Sequence, residues 1–310
     1  MEFFHRVPHI HFLSARRIAL AASTLVFLVA LGSLAIQGLN LGLDFTGGVV
    51  VQMGFPTMPS LGRVRAVVTA AGYPGAHISP FGHHPEVLIR LKPQKPGLAD
   101  VAASAISRAV AAHFPGARLV DKEVIGPQVG HALREKGLTA MLAALILIFV
   151  YVMFRFEWRF ALGAIAATVH DVIFVVGFFS LTRIDFNLNV LAAILAIMGY
   201  SLNDTVVVFD RIREDFRKFK KGTPLELMNI AINETLSRTL MTSFMTLLVV
   251  IALLFVGGPV LRGFSIALFV GILIGTYSSI FIASAIALML GVNRSDLLPR
   301  RPEAVADGGP

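Results

Sequence analysis

Six stretches of this chain are long and apolar enough to cross a bilayer, and no other property constrains its fold as much. They run approximately over Arg17–Ile36, Leu138–Phe154, Phe160–Thr182, Asn189–Phe209, Ser237–Val256 and Gly263–Leu290. A spanning helix needs about 17–25 mostly apolar residues to cross the hydrocarbon layer. Within that layer only helices and closed barrels satisfy every backbone amide. Composition agrees, with 55% hydrophobic and 15% charged residues, where a soluble domain carries about 25% charged. Arg16 and Arg17 precede the first stretch, as they would in a signal peptide. That stretch is long, however, and Ala-Ile-Gln-Gly-Leu-Asn is a poor cleavage sequence, so it reads as a retained anchor.

The charges orient the spans. Lys plus Arg is 27 and Asp plus Glu is 19, a net +8. Arg6, Arg16 and Arg17 precede span one, and Arg155 and Arg159 separate spans two and three. Arg211, Arg213, Arg217, Lys218, Lys220 and Lys221 separate four and five, and Arg294, Arg300 and Arg301 follow six. The short loops of opposite parity carry only Arg183 and Arg262. The positive-inside rule then places both termini in the cytoplasm. The basic run Arg211–Lys221 is a topology signal lying against anionic lipid, not a nucleic-acid surface. The expected organisation is a cytoplasmic N-terminus over 1–16, a first span over 17–36 and an extracytoplasmic domain over 37–137. A five-span bundle over 138–290 and a cytoplasmic tail over 291–310 complete it, with Pro/Gly-rich Arg300–Pro310 expected to be disordered. With no cysteine in the chain, disulfides, Cys-ligated metals and thiol catalysis are excluded. The sequence has no phosphate-binding G-x-x-x-x-G-K-[ST] loop for ATP.

The long outside segment has the periodicity of a small folded unit. Strands are predicted over Val49–Phe55, Ala76–Pro80, Glu86–Leu91 and Ala117–Ile125, and helices over Leu61–Ala71, with Ser60 as N-cap, and Leu98–Phe114. The order βαββαβ is the ferredoxin-like pattern, two helices on one face of an antiparallel sheet. The domain holds His77, His83, His84 and His113, without the i, i+4 spacing of a helical metal site, so no metal is expected. No Ser/His/Asp arrangement stands in motif context, and the domain reads as a binding or mechanical module, not an enzyme.

Ionisable groups inside spans are costly and therefore mark function. Span three carries His170 and Asp171, span four Asn203 and Asp204, and span five begins with Arg238. Thr239, Thr242, Ser243 and Thr246 follow it and with Arg238 form a polar stripe expected to face the protein interior. Asp204 lies six residues above Asp210, about 9 Å deep, and Arg238 is its expected counter-ion across the helix pair. A carboxylate whose partner can leave and return would load and release a proton. The competing readings are snorkelling of Arg238 to the headgroups, an inert ion pair or helix cap at Asp204, and a satisfied interhelical hydrogen bond at His170–Asp171. Gly271 and Gly275 form G-x-x-x-G, followed by Ser278 and Ser279, and Gly199 stands beside the charged pair. These small residues predict close helix packing, and a second half is expected to cover spans four to six through the same three glycines.

Three stretches carry a resemblance. Leu-Gly-Leu-Asp-Phe-Thr-Gly-Gly occupies 41–48, Gly-Tyr-Ser-Leu-Asn-Asp-Thr-Val-Val-Val-Phe-Asp-Arg-Ile-Arg-Glu occupies 199–214, and Asn-Glu-Thr-Leu-Ser-Arg-Thr occupies 233–239. With six spans and one outside domain after the first, the whole chain resembles the SecF family, membrane subunits of the SecDF complex within the RND superfamily. Asp44, Phe45, Gly47 and Gly48 match its Asp-Phe-x-Gly-Gly motif. The resemblance implies residence in the bacterial inner membrane and pairing with SecD into two related six-span halves. It also implies use of the proton-motive force to help export unfolded polypeptide through SecYEG, with YajC as a further associate. By motif position, Asp204 and Arg238 match the family's proton pathway, to be completed by a SecD aspartate. His170 and Asp171 form a family-like pair of less defined role. Protons, and no other cofactor, are implied. The rival readings are an RND-type exporter of small molecules or lipids, and an assembly subunit that moves no protons.

Overall fold

The computed structural model describes residues 8–82, 84–91, 98–219 and 221–293. Arg6, His83, Lys220, Arg294 and the tail Arg300–Pro310, all invoked above, lie outside the described residues.

A 3-10 turn over Phe12–Ala15 leads into α1 (Arg16–Gln37). The α+β domain outside the helix bundle, the outside domain, follows as a one-turn α2 (Leu43–Thr46), β1 (Gly48–Gly54), α3 (Leu61–Ala70), β2 (His77–Phe81), β3 (Glu86–Leu91), α4 (Ala99–His113) and β4 (Arg118–Ile125). The membrane part continues through α5 (Pro127–Arg155), α6 (Trp158–Thr182), α7 (Leu188–Lys218), α8 (Pro224–Val256) and α9 (Gly258–Ser278). A π-helical turn over Ser279–Ala283 joins α9 to α10 (Ser284–Met289). Among the described residues, six helices are long and apolar enough to cross a membrane, the sixth running from α9 to α10.

The outside domain has the predicted βαββαβ order, with an all-antiparallel sheet arranged β2-β3-β1-β4. Alternation makes its core. Val49, Val51 and Met53 on β1 stand opposite Leu91, Ile89 and Val87 on β3. All six are buried, against Val64 and Val68 of α3 and Ala102, Ile106 and Val110 of α4. Ser60 occupies the N-cap of α3, but its hydroxyl makes no capping bond; the backbone oxygen alone accepts from Val64 N at 3.1 Å.

The expected boundary at residue 137 is displaced. α5 starts at Pro127, directly after β4, so residues 127–137 are the outer turns of a membrane helix. Those turns carry Gln128, His131, Arg134, Glu135 and Lys136, good helix formers that hydropathy passes over. At the opposite end α7 and α8 likewise run beyond their apolar stretches. α8 starts with a capping box, in which Glu226 Oε2 accepts from Thr223 N at 2.9 Å and Thr223 Oγ1 accepts from Glu226 N at 3.3 Å.

α6, α7 and α9 form the inner layer of the bundle, with α1 against α6 and α8 against α7 and α9. Lipid is as apolar as the side chains, so helices associate here by close packing and hydrogen bonds. A Cβ at Gly177 would lie 2.3 Å from Ala30 Cβ, which brings α6 onto α1. Ser33 and Ser180 share a hydrogen bond of 2.7 Å across the same contact. Gly271 and Gly275 do pack closely, but within this chain: a Cβ would stand 2.3 Å from Ile197 Cδ1 at Gly271 and 3.2 Å from Ser201 Cβ at Gly275. The expectation that they serve a second half is therefore corrected, because α9 turns them to α7. Gly199 does not share their role. It is exposed, and a Cβ there meets nothing within 4 Å.

Candidate functional site: a buried polar centre

Four membrane helices bring two carboxylates and four hydroxyls together. Asp171 on α6 is 1% exposed. Its Oδ2 accepts from Ser201 Oγ and from Ser278 Oγ, both at 2.6 Å, and its Oδ1 lies 3.1 Å from His170 Nδ1. Asp204 on α7 is 7% exposed. Its Oδ1 accepts from Thr239 Oγ1 of α8 at 2.6 Å, and its Oδ2 accepts from Ser279 Oγ. Two consecutive serines thus serve two carboxylates. Neighbouring positions on a helix point about 100° apart, and α9 packs against both α6 and α7, so Ser278 reaches one helix and Ser279 the other. At Ser279 the helix widens into its π turn, a rare geometry that recurs at functional sites. The freed backbone is served locally, with Ser284 Oγ donating to Ser279 O at 3.1 Å.

A hydroxyl both donates and accepts. In a low-dielectric interior a carboxylate is tolerated when such donors satisfy it. The same hydroxyls can turn to accept when the carboxyl is protonated. This centre can therefore hold either state of Asp171 and Asp204 without leaving a buried polar atom unpaired.

Arg238 is placed differently from the expectation. It is exposed, and among the described residues no ion pair joins it to Asp204, so its charge acts on that carboxyl only at longer range. The inward position belongs to Thr239, the next residue. The stripe splits for the same reason. Thr239 and Ser243 are buried, while Arg238 and Thr242 face out. Ser243 Oγ bonds Thr276 Oγ1 at 2.7 Å and accepts from Tyr200 OH at 3.1 Å. Thr242 and Thr246 donate to their own helix, at Arg238 O and Thr242 O. Asn203 is exposed as well. Gly199, Asn203, Arg238 and Thr242 therefore lie on faces of α7 and α8 that the described residues leave uncovered. His170 Nδ1 stands against Asp171 Oδ1, and its ring is stacked 6.4 Å from that of Phe27.

The outer end of α7 is fastened to the motif after α1. Asp44 Oδ2 accepts from Leu188 N, the first residue of α7, at 2.7 Å. Asn187 caps the same end, its Oδ1 accepting from Val190 N at 3.0 Å. Gly42 N donates to Phe186 O and Phe186 N to Asn40 O, each at 2.8 Å. Asp185 accepts from Asn40 Nδ2 at 2.8 Å and pairs with Arg90 of β3 at 2.8 Å. Phe45 is buried, 6.0 Å from the ring of Phe186. Gly47 and Gly48 have φ of +68° and +136°, and a Cβ at Gly48 would fall 2.4 Å from Leu91 O. The motif's aspartate caps the helix that bears Asp204, and its glycines allow the turn into β1. Near this fastening, burial and then the charges of Asp44 and Asp121 raise the Glu123 carboxyl above its ordinary range.

Sequence reasoning missed the carboxylate-binding roles of Ser201, Ser278 and Ser279. The signal is the Ser278-Ser279 pair inside an apolar span, a pattern that close helix packing alone also accounts for.

The fold and this centre define a multi-pass membrane protein with a carboxylate–hydroxyl core and one small α+β domain beside the helix bundle. Residues 105–293 match the family model described as protein export membrane protein SecD/SecF, C-terminal, and residues 32–55 match the SecD/SecF GG motif. A protein translocase subunit SecF of Pseudomonas aeruginosa is 45% identical over 305 residues, covering 98% of this chain and 99% of that protein. Its counterpart in Vibrio alginolyticus is 43% identical over 295 residues, covering 95% and 94%. The crystal structure of SecDF from Thermus thermophilus, a translocon-associated membrane protein, superposes with a TM-score of 0.83 at 38% identity. It covers 91% of this chain, which spans only 39% of that longer SecDF chain. A SecDF structure in a super-membrane-facing form gives 0.70 at 38% identity, covering 93% and 39%. The chain belongs to the SecF family of protein translocase subunits.

Proposed function

We propose that this chain couples proton movement to protein export, as the SecF half of a SecDF-type complex in the bacterial inner membrane, with both termini cytoplasmic. The observation that carries the reading is the polar centre: two buried carboxylates, on adjacent helices, whose side-chain partners among the described residues are hydroxyls and a histidine. Protonation of Asp204 removes a charge that Thr239 and Ser279 stabilise, and so changes the relative energies of helix packings at α7, α8 and α9. The fastening of Asp44 to α7 would carry such a change to the outside domain. SecD would cover the faces of α7 and α8 bearing Gly199, Asn203 and Arg238. Arg238 would there meet a carboxylate of SecD in place of Asp204. The outside domain would hold an emerging unfolded polypeptide along β4, an edge strand with exposed Leu119 and Val120. SecYEG would deliver that polypeptide, with YajC associated, and the coupling ion would be the proton alone.

The test uses inner-membrane vesicles holding the whole complex and a stalled late export intermediate, with and without an imposed proton gradient. Asp204→Asn keeps the side-chain volume but cannot cycle a proton. It is expected to abolish the response to the gradient while leaving expression and SecD association unchanged. A full response in that variant overturns the proton-carrier role.

A further inference from the structure

A second carboxyl cluster lies at the end of α7 remote from the outside domain, eleven residues beyond Asp204. Asp215 has 0% exposure, yet neither of its carboxylate oxygens has a hydrogen-bond donor among the described residues. The guanidinium of Arg211, one helical turn back, brings its Nε within 3.6 Å of Asp215 Oδ1, a distance of attraction but not of a hydrogen bond. That same Nε is engaged by Glu234 of α8, and Arg211 Nη1 by Glu214 at 2.7 Å. Asp215 Oδ1 and Glu234 Oε2 thus stand against the same Nε of Arg211, at 3.6 Å and 2.5 Å. Arg211 and Glu214 on α7 and Glu234 on α8 are the charged groups around Asp215 among the described residues. The N-terminal segment also docks on α8, but through neutral groups: Ile10 N donates to Asn233 Oδ1 at 2.9 Å and Leu13 N to Asn229 Oδ1 at 3.0 Å.

An ionised Asp215 here would be a buried charge without a donor, beside a second carboxylate competing for one guanidinium. Such a charge is strongly disfavoured. A protonated Asp215 has an O–H to give, and the neighbouring acceptor is Glu234, whose Oε2 shares the Nε of Arg211 with it. One proton then converts two like charges into a chain from Asp215 to Glu234 to Arg211 that leaves one negative charge beside one positive charge. Two carboxyls sharing a site divide their protons in this way.

We propose that Asp215 and Glu234 hold one proton between them over Arg211, a second proton-binding site on the same α7–α8 pair that carries Asp204. Occupied, it ties α7 to α8 at this end; emptied, it sets two carboxylates against one another across the helix contact. The site stands on its own geometry, and only its use in an export cycle rests on the function proposed above.

The experiment is a pH titration of the full chain in lipid bilayers, followed by the infrared carbonyl stretch of protonated carboxyls. The wild type is expected to lose such a band as pH rises. Asp215→Asn should lack that band and unfold thermally no lower than the wild type, because the amide mimics the protonated acid. Glu234→Gln removes the competing charge and should move the loss of the band to lower pH. A band unchanged by Asp215→Asn overturns the proposal, as does a clear drop in thermal stability in that variant, which would mean an ionised Asp215 paired with Arg211. Asp204→Asn should retain the band. If that variant also exports normally under a gradient, the proton-carrier reading of Asp204 fails while the band still decides the site at Asp215.

Discussion

Replacing Ser279 by alanine removes one of the two hydroxyls that hold Asp204, and its cost reports the charge on that carboxyl. Each Asp204 oxygen accepts from one side chain, Thr239 on one and Ser279 on the other, so the alanine leaves Oδ2 without a donor. A hydrogen bond to a charged group contributes about 1.5–3 kcal/mol. Between neutral groups inside a membrane the average is about 0.6 kcal/mol. A double-mutant cycle of Ser279→Ala with Asp204→Ala, read by reversible unfolding in bicelles, isolates that pair from the cavity each substitution leaves. The coupling should be near the larger value at alkaline pH, where Asp204 is ionised, and should fall toward the smaller one at acid pH. A coupling that stays near about 0.6 kcal/mol at both ends would mean that Asp204 does not change protonation, and the argument for a proton carrier would fail.

Three further outcomes follow from the geometry. Gly271→Ala drives a Cβ to 2.3 Å from Ile197 and should cost about 1–3 kcal/mol in thermal unfolding, whereas Gly199→Ala, open to 4 Å, should stay within about 0.5 kcal/mol in the isolated chain. Asp44→Ala leaves Leu188 N without its acceptor, and should cost about 0.5–2 kcal/mol, the range for a lost helix cap, seen as faster amide exchange at the outer turn of α7. Glu123, whose folded carboxyl is raised above 4.5, disfavours the folded state increasingly as pH rises through the interval above that value. Glu123→Gln should therefore stabilise the outside domain at neutral pH and have no such effect once the solution is more acidic than the unfolded carboxyl's range; a benefit that is equal at all pH values would refute the cause assigned.

The placement of Arg238 ties several of these points together. A helix wheel puts Arg238, Thr242 and Thr246 on one line and Thr239 and Ser243 on the next. Which line faces inward depends on how α8 rolls against α7 and α9. The α7–α8 contacts run in antiparallel register through Tyr200–Ser243, Asp204–Thr239 and Arg211–Glu234. Thr239 and Ser243 meet Asp204 and Tyr200 on the inner line, while Glu234, one turn before Arg238, extends the other line and meets Arg211 beyond the end of the polar centre. Arg238 is left outside these contacts, on a face the described residues do not cover, where a long cationic side chain can reach lipid headgroups or a second protein.

Six spans, the βαββαβ order and the residue types that had to be special are all legible in the amino-acid sequence. Hydropathy accumulates over a window, strand alternation has a period of two, and a charge within an apolar run stands out against its neighbours. Each of those signals is local in the chain. It could not tell where α5 begins, because the polar turns of Pro127–Gly137 are as helical as the apolar ones that follow. It read Gly271 and Gly275 as packing residues but assigned them the wrong neighbour. The division of Ser278 and Ser279 between Asp171 and Asp204, and the placement of Thr239 where Arg238 was expected, come from the packing of the helices. One residue along a helix is a turn of about 100°, so the partner of a buried carboxylate is set by the azimuth of each helix. That azimuth follows from close packing at positions such as Gly177, Gly271 and Gly275, where the shapes of two distant segments must fit.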